Sequence, residues 1–145
     1  MVTTKRLDNV GIVVDDLAAA IAFFTDLGLT VAGEATLEGD WVDAVVGLHG
    51  TRCRMAMLRT PDGHGQIELS QYETPTAHTI DPLAPNTVGF HRVALAVDDL
   101  DAAVAVARSH GGELLGDVVR YQDSDRLCYL RGPASIVVML AEQLG

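Results

Sequence analysis

The feature that most constrains this chain is that it repeats itself. The segment Val10-Gly11-Ile12-Val13-Val14-Asp15-Asp16-Leu17-Ala18-Ala19-Ala20-Ile21 returns 83 residues later as Val93-Ala94-Leu95-Ala96-Val97-Asp98-Asp99-Leu100-Asp101-Ala102-Ala103-Val104. Each copy reads as a strand of β-branched and small apolar residues running into a helix. The Asp-Asp pairs stand where helix N-caps belong, since a carboxylate there accepts from free N–H groups and suits the positive end of the helix dipole. Gly28 and Gly111 stand where C-caps belong. The spacing puts Leu17, Ile21, Phe24 and Leu27 on one face of the first helix, and Leu100, Val104 and Ala107 on one face of the second.

Strand-like runs follow each helix: Thr30–Glu34, Thr51–Arg59 and Gln66–Gln71 after the first, Glu113–Tyr121, Arg126–Leu130 and Ile136–Glu142 after the second. Turn signals separate them, Pro61-Asp62-Gly63 in one half and Gly132-Pro133 in the other. Each half is therefore β-α-β-β-β, and the fold class is α+β. The expected layout is a single domain over 1–145, with module one at about 7–71, a Pro- and Thr-containing linker at about 72–89 and module two at about 90–142. A chain of 145 residues buries enough surface to fold without disulfides or a structural metal.

Twenty acidic against ten basic residues give a net charge of -10, a field that repels nucleic acid and anionic membranes. The longest apolar run, Leu17 to Phe24, is eight residues, far short of the ~18–20 that span a bilayer. Met1 to Asp8 has no apolar stretch of signal-peptide length. Cys53 and Cys128 lack Cys-x-x-Cys spacing, so they read as buried hydrophobes in a reduced, cytoplasmic protein. No Gly-x-Ser-x-Gly, Gly-x-x-x-x-Gly-Lys or Gly-x-Gly-x-x-Gly pattern occurs.

With its Val-Gly-Ile-Val-Val-Asp-Asp-Leu opening and the Ile-Glu-Leu-Ser run at 67–70, the duplicated module resembles the vicinal oxygen chelate superfamily over about residues 7–142. That group holds glyoxalase I, methylmalonyl-CoA epimerase, extradiol dioxygenases and bleomycin- or fosfomycin-resistance proteins. The resemblance implies two modules forming a cup-shaped, barrel-like mixed sheet with helices outside. It also implies dimerisation and, in enzymatic members, a divalent metal held by the first and last strands of each module. The ligand positions carried over are Asn9, directly before Val10; Glu68, the acid of Ile-Glu-Leu; Arg92, directly before Val93; and Met139, six residues after Pro133.

Those residues make a poor metal site. Arginine has no lone pair to offer and repels a cation. Methionine is a soft thioether unsuited to Mg, Mn or Zn. Asparagine offers only its carbonyl oxygen. No metal or other cofactor is therefore expected. His91 is set aside because strand residues alternate faces: it shares the parity of Val93, Leu95 and Val97, while Arg92, Ala94 and Ala96 share the other; only a β-bulge before Val93 would bring it into the cup. His49, His64, His78 and His110 read as surface residues.

The cup-facing positions by parity include Gly11, Val13, Ser70, Ala94, Ala96, Val137 and Ala141. Many are small, which leaves room for a ligand; Trp41, Met55, Met57 or Tyr129 could fill the same space. Glu68 and Arg92 are the charged groups. They either form a pair that locks the modules or serve function, Arg92 anchoring an anion and Glu68 acting as acceptor or base. Trp41 is placed by the resemblance at the mouth of the cup. Two functions remain open. One is a metal-independent small-molecule-binding protein using Asn9, Trp41, Glu68, Arg92 and Met139, expected as a homodimer. The other is a lyase, isomerase or epimerase of the glyoxalase type with Glu68 as catalytic base or metal ligand.

Overall fold

The structure is a computed structural model that describes residue 3 and residues 5–90 and 92–145. It divides into two compact units, Met1–His78 and Thr79–Gly145.

Unit one runs β1 (Val10–Val13), α1 (Leu17–Asp26), β2 (Thr30–Glu38), α2 (Asp40–Val46), β3 (Arg52–Arg59) and β4 (Gln66–Thr74). Its sheet has the order β1-β4-β3-β2, with β1 parallel to β4 and the other neighbours antiparallel. Unit two runs β5 (Arg92–Val97), α3 (Leu100–Ser109), β6 (Glu113–Leu114), β7 (Val119–Tyr121), β8 (Asp125–Arg131), a 3-10 turn at Pro133–Ser135 and β9 (Val137–Gln143). Its order is β5-β9-β8-β6, with β7 also pairing β8 and β5 parallel to β9. Both units are thus elaborations of one β-α-β-β-β plan, in a mixed α+β chain.

The caps explain why the helices start where they do. Asp16 and Asp99 hold extended backbone and accept from the N–H groups of Ala19 and Ala102, each at 3.0 Å. Gly28 and Gly111, at φ 107 and 83, turn the chain away after each helix in a conformation that side chains resist. A second brace reaches across from the last strand of each unit. Gln71 Oε1 accepts from Leu17 N at 2.8 Å, and Glu142 Oε2 accepts from Leu100 N at 2.7 Å. Arg54 holds Gln71 at 3.1 Å, and Arg126 lies 3.8 Å from Glu142.

The core of unit one lies between α1 and the sheet: Leu17, Ala20, Phe23 and Phe24 are buried with Ile12, Ala56, Leu58, Ile67 and Leu69. The buried stripe is rotated from the expected one. Ile21 and Leu27 are only half-buried, because the edge-to-face pair Phe23–Phe24, 5.0 Å between centroids, fills the space over the sheet. Unit two buries Leu100, Ala103, Val104 and Ala107 with Leu95, Cys128, Leu130, Val138 and Leu140. Both cysteines are free and buried, and burial pushes each thiol pKa up.

Four elements differ from the sequence reading. β2 runs on to Glu38, past the expected end at Glu34. The connection after β2 carries the short helix α2, bracketed by Gly39 and Gly47 at φ 113 and 74. The expected strand 113–121 is two short pieces, β6 and β7. β4 runs on to Thr74, into the stretch read as linker.

Candidate functional site

In each sheet one face meets the helix and the other does not. Alternation decides which side chains stand on this second, open face. In unit one Ile12, Ile67, Leu69, Ala56 and Leu58 go under the helix. Gly11, Glu68, Met57 and Gly33 form one rung across the open face, and Val13, Ser70, Met55 and Ala35 the next. Glu68 is half-buried in the middle of its rung. Gly11, the rung neighbour of Glu68 on β1, adds no side chain, and a Cβ there would meet nothing within 4 Å, so that end of the rung is open. Asn9 is half-buried, immediately before β1, on the parity of Gly11. Trp41 lies on α2 between the second and third strands and is 62% exposed.

Unit two presents a cation, Arg92, where unit one presents the Glu68 carboxylate. Its open face has rungs of Ala94, Met139 and Tyr129, then Ala96, Ala141 and Leu127. Arg92 is exposed at the start of β5, while Leu95 is buried, as the alternation requires. The Arg92 Nε donates to Met139 Sδ at 3.4 Å, and its guanidinium carbon stands 5.6 Å from the centre of the Tyr129 ring. A cation over an aromatic face beside a polarizable sulfur is held in place while its remaining N–H groups stay available. Val137, expected on this face, is 4% exposed instead: residues 80–90 fold back and cover that end of β9.

Asn9, Trp41 and Glu68 therefore belong to unit one, and Arg92 and Met139 to unit two, where those two are in contact. Tyr129 enters as a partner of Arg92 that spacing alone did not identify; its register with Met139 across β8 and β9 is the signal that places it. His91 lies outside the described residues. His49 and His64 are exposed in loops, His78 at the end of unit one and His110 at the C-cap of α3.

The metal carried by enzymatic members of the resembling superfamily has no fitting donor set at these positions. Arg92 brings a positive charge and no lone pair, and Met139 already accepts from it. Asn9 and Glu68 leave one amide oxygen and one carboxylate, too few hard donors for a tight divalent site. Among the described residues, no three His, Cys, Asp or Glu side chains gather into a group that could hold a metal ion.

The chain matches, over residues 8–129, the model of a family described as the Glyoxalase/Bleomycin resistance protein/Dioxygenase superfamily. Among solved structures it is similar to a glyoxalase family protein from Bacillus cereus, at 46% identity and a TM-score of 0.93, covering 100% of this chain and 99% of that one. It also resembles the trypanothione-dependent glyoxalase I of Leishmania major, at 19% identity and a TM-score of 0.66 over 96% of this chain and 87% of that one, a likeness of fold alone. The uncharacterized protein YaeR of Escherichia coli is 28% identical over 99% of this chain and 100% of its own length.

Proposed function

Because the chain belongs to the glyoxalase/bleomycin resistance protein/dioxygenase superfamily, we propose that it uses that fold as a metal-independent small-molecule-binding protein. The observation that carries this reading is the Arg92–Met139–Tyr129 contact. It sets a fixed cation on an apolar, small-residue face where an enzymatic relative would carry metal donors. A guanidinium so held suits a carboxylate, phosphate or enolate oxygen. The alanines around it suit the flat apolar body of the same ligand. The ligand is accordingly an aromatic or amphipathic small anion.

Unit one offers its own recognition groups. Glu68 accepts from a ligand N–H or O–H, Asn9 adds an amide, and Trp41 presents an exposed indole on which a flat ring stacks. We assign the working form as a cytoplasmic homodimer. The nine-residue edge strand β2 is exposed along almost its whole length, which supports pairing of chains. Two free thiols suit a reducing compartment.

The experiment is a binding titration with 2-naphthoate in the presence and absence of a chelator, beside an assay for hemithioacetal turnover. Binding should be indifferent to the chelator and turnover absent with or without added Ni or Zn. Turnover that appears with metal and is lost in Glu68→Ala would overturn the reading in favour of a glyoxalase-type lyase or isomerase with Glu68 as ligand or base.

A further inference from the structure

Unit two contains a cleft of about 180 Å³ that no reading of the open faces uses. Residues 80–90 form one wall and the loop 132–136 the other, and Ile80, Leu83, Phe90, Ile136 and Val137 make the lining mostly apolar. A cavity of roughly 150 Å³ lined by such residues is large enough for benzene. The single cation of the lining is Arg131, which donates to the carbonyl oxygens of Leu83 and Ser135.

Those carbonyls fix the guanidinium without neutralising it. Among the described residues no carboxylate lies within 4.0 Å of it, although Asp81 stands in the same lining. In a chain of net charge -10, that is an uncompensated positive charge beside a ring-sized apolar space. The wall opposite residues 80–90 adds an independent observation. Ala134 and Ser135 both sit in the left-handed region, at φ 55 and 58, a conformation that costs non-glycine residues energy and gathers at binding sites.

We propose that this cleft, at the covered end of unit two's open face on the rung of Val137 and Arg131, is a second ligand site distinct from the Arg92–Met139–Tyr129 contact, and that it takes a small carboxylate carrying one aromatic ring. The carboxylate meets Arg131, and the ring lies among Leu83, Phe90 and Ile136.

The test is an amide-resolved NMR titration of the whole protein with phenylacetate, using phenylacetamide as the uncharged control. Phenylacetate should shift amides within 83–90 and 134–137, with a dissociation constant on the order of 1 mM. Phenylacetamide should bind at least about tenfold more weakly. Arg131→Gln should lose the site, but it also releases the clasp on Leu83. Ala84→Glu is the cleaner variant: Ala84 is exposed, the clasp stays, and a carboxylate beside Arg131 should weaken phenylacetate by a similar factor. Three results would overturn the proposal. One is no shift in the cleft. Another is failure of either charge test, that is, equal binding of the amide and the acid or binding that Ala84→Glu leaves unchanged. The third is a set of shifts confined to Ala94, Ala96 and Met139, which would put the probe on the open face and support the reading given for Arg92.

Discussion

Replacing Arg92 by alanine removes the group proposed to anchor the ligand's anion. A charge-assisted hydrogen bond contributes ~1.5–3 kcal/mol. Ordering a long side chain on binding ordinarily costs about 0.5–1.5 kcal/mol. Here that cost is largely met in the free protein, because the guanidinium already rests on Met139 Sδ at 3.4 Å and over the Tyr129 ring at 5.6 Å. The full interaction should therefore show, and Arg92→Ala should weaken binding of 2-naphthoate roughly ten- to a hundred-fold. Arg92→Lys should recover only part of the loss, since lysine keeps the charge but lacks the planar fork. Tyr129→Leu keeps the arginine and removes its platform. Its cost should be smaller, ~0.5–1 kcal/mol, or about two- to fivefold. Titration calorimetry reads all three, with Trp41 fluorescence as a second signal and thermal midpoints as the check on folding. If naphthoate binds and Arg92→Ala leaves its affinity unchanged in a protein of unchanged midpoint, Arg92 is a structural residue and the reasoning fails.

Three further outcomes are expected. Light scattering at micromolar concentration should give about 31 kDa, twice the 15.4 kDa chain, and a monomer would count against the assembly proposed from the exposed β2 edge. Glu142→Ala should destabilise unit two by about 1–2 kcal/mol in chemical denaturation, whereas Glu142→Gln should lose much less, because Gln71 serves the same purpose at α1. Hydrogen bonds from Arg126, followed by its charge, hold the Asp101 carboxyl below its ordinary pKa. A lowered folded-state pKa contributes stability above the unfolded value that disappears as pH falls. The stability gap between the parent and Asp101→Asn should thus be present at about pH 7 and shrink at about pH 3.

The repeat was readable because its signals are local. Asp16 and Asp99 cap groups three residues away, so a strand, two acids and an apolar helix suffice to reveal them. Gln71 and Glu142 brace the same helices from 54 and 42 residues away, and nothing in a linear pattern joins such partners. α2 escaped because it is seven residues long, has no side-chain cap and is bounded by left-handed glycines that read equally well as turns. On the site side, alternation correctly set Arg92, Ala94 and Ala96 apart from Leu95. It also put Val137 on the open face, where its parity belongs, but could not foresee residues 80–90 folding over it. The Arg92–Tyr129 contact depends on the register of three strands, which the order of residues along one strand does not fix.

These positions are proposed to serve ligand binding without a metal, and elemental analysis of the purified protein tests this most directly. The protein should be equilibrated with Ni, Zn, Mn and Fe, freed of unbound metal and assayed beside Glu68→Ala. The donor set of Asn9, Glu68, Arg92 and Met139 predicts well under one equivalent of any of these metals per chain, with no difference between parent and variant. Near-stoichiometric metal in the parent, lost in Glu68→Ala, would contradict the account.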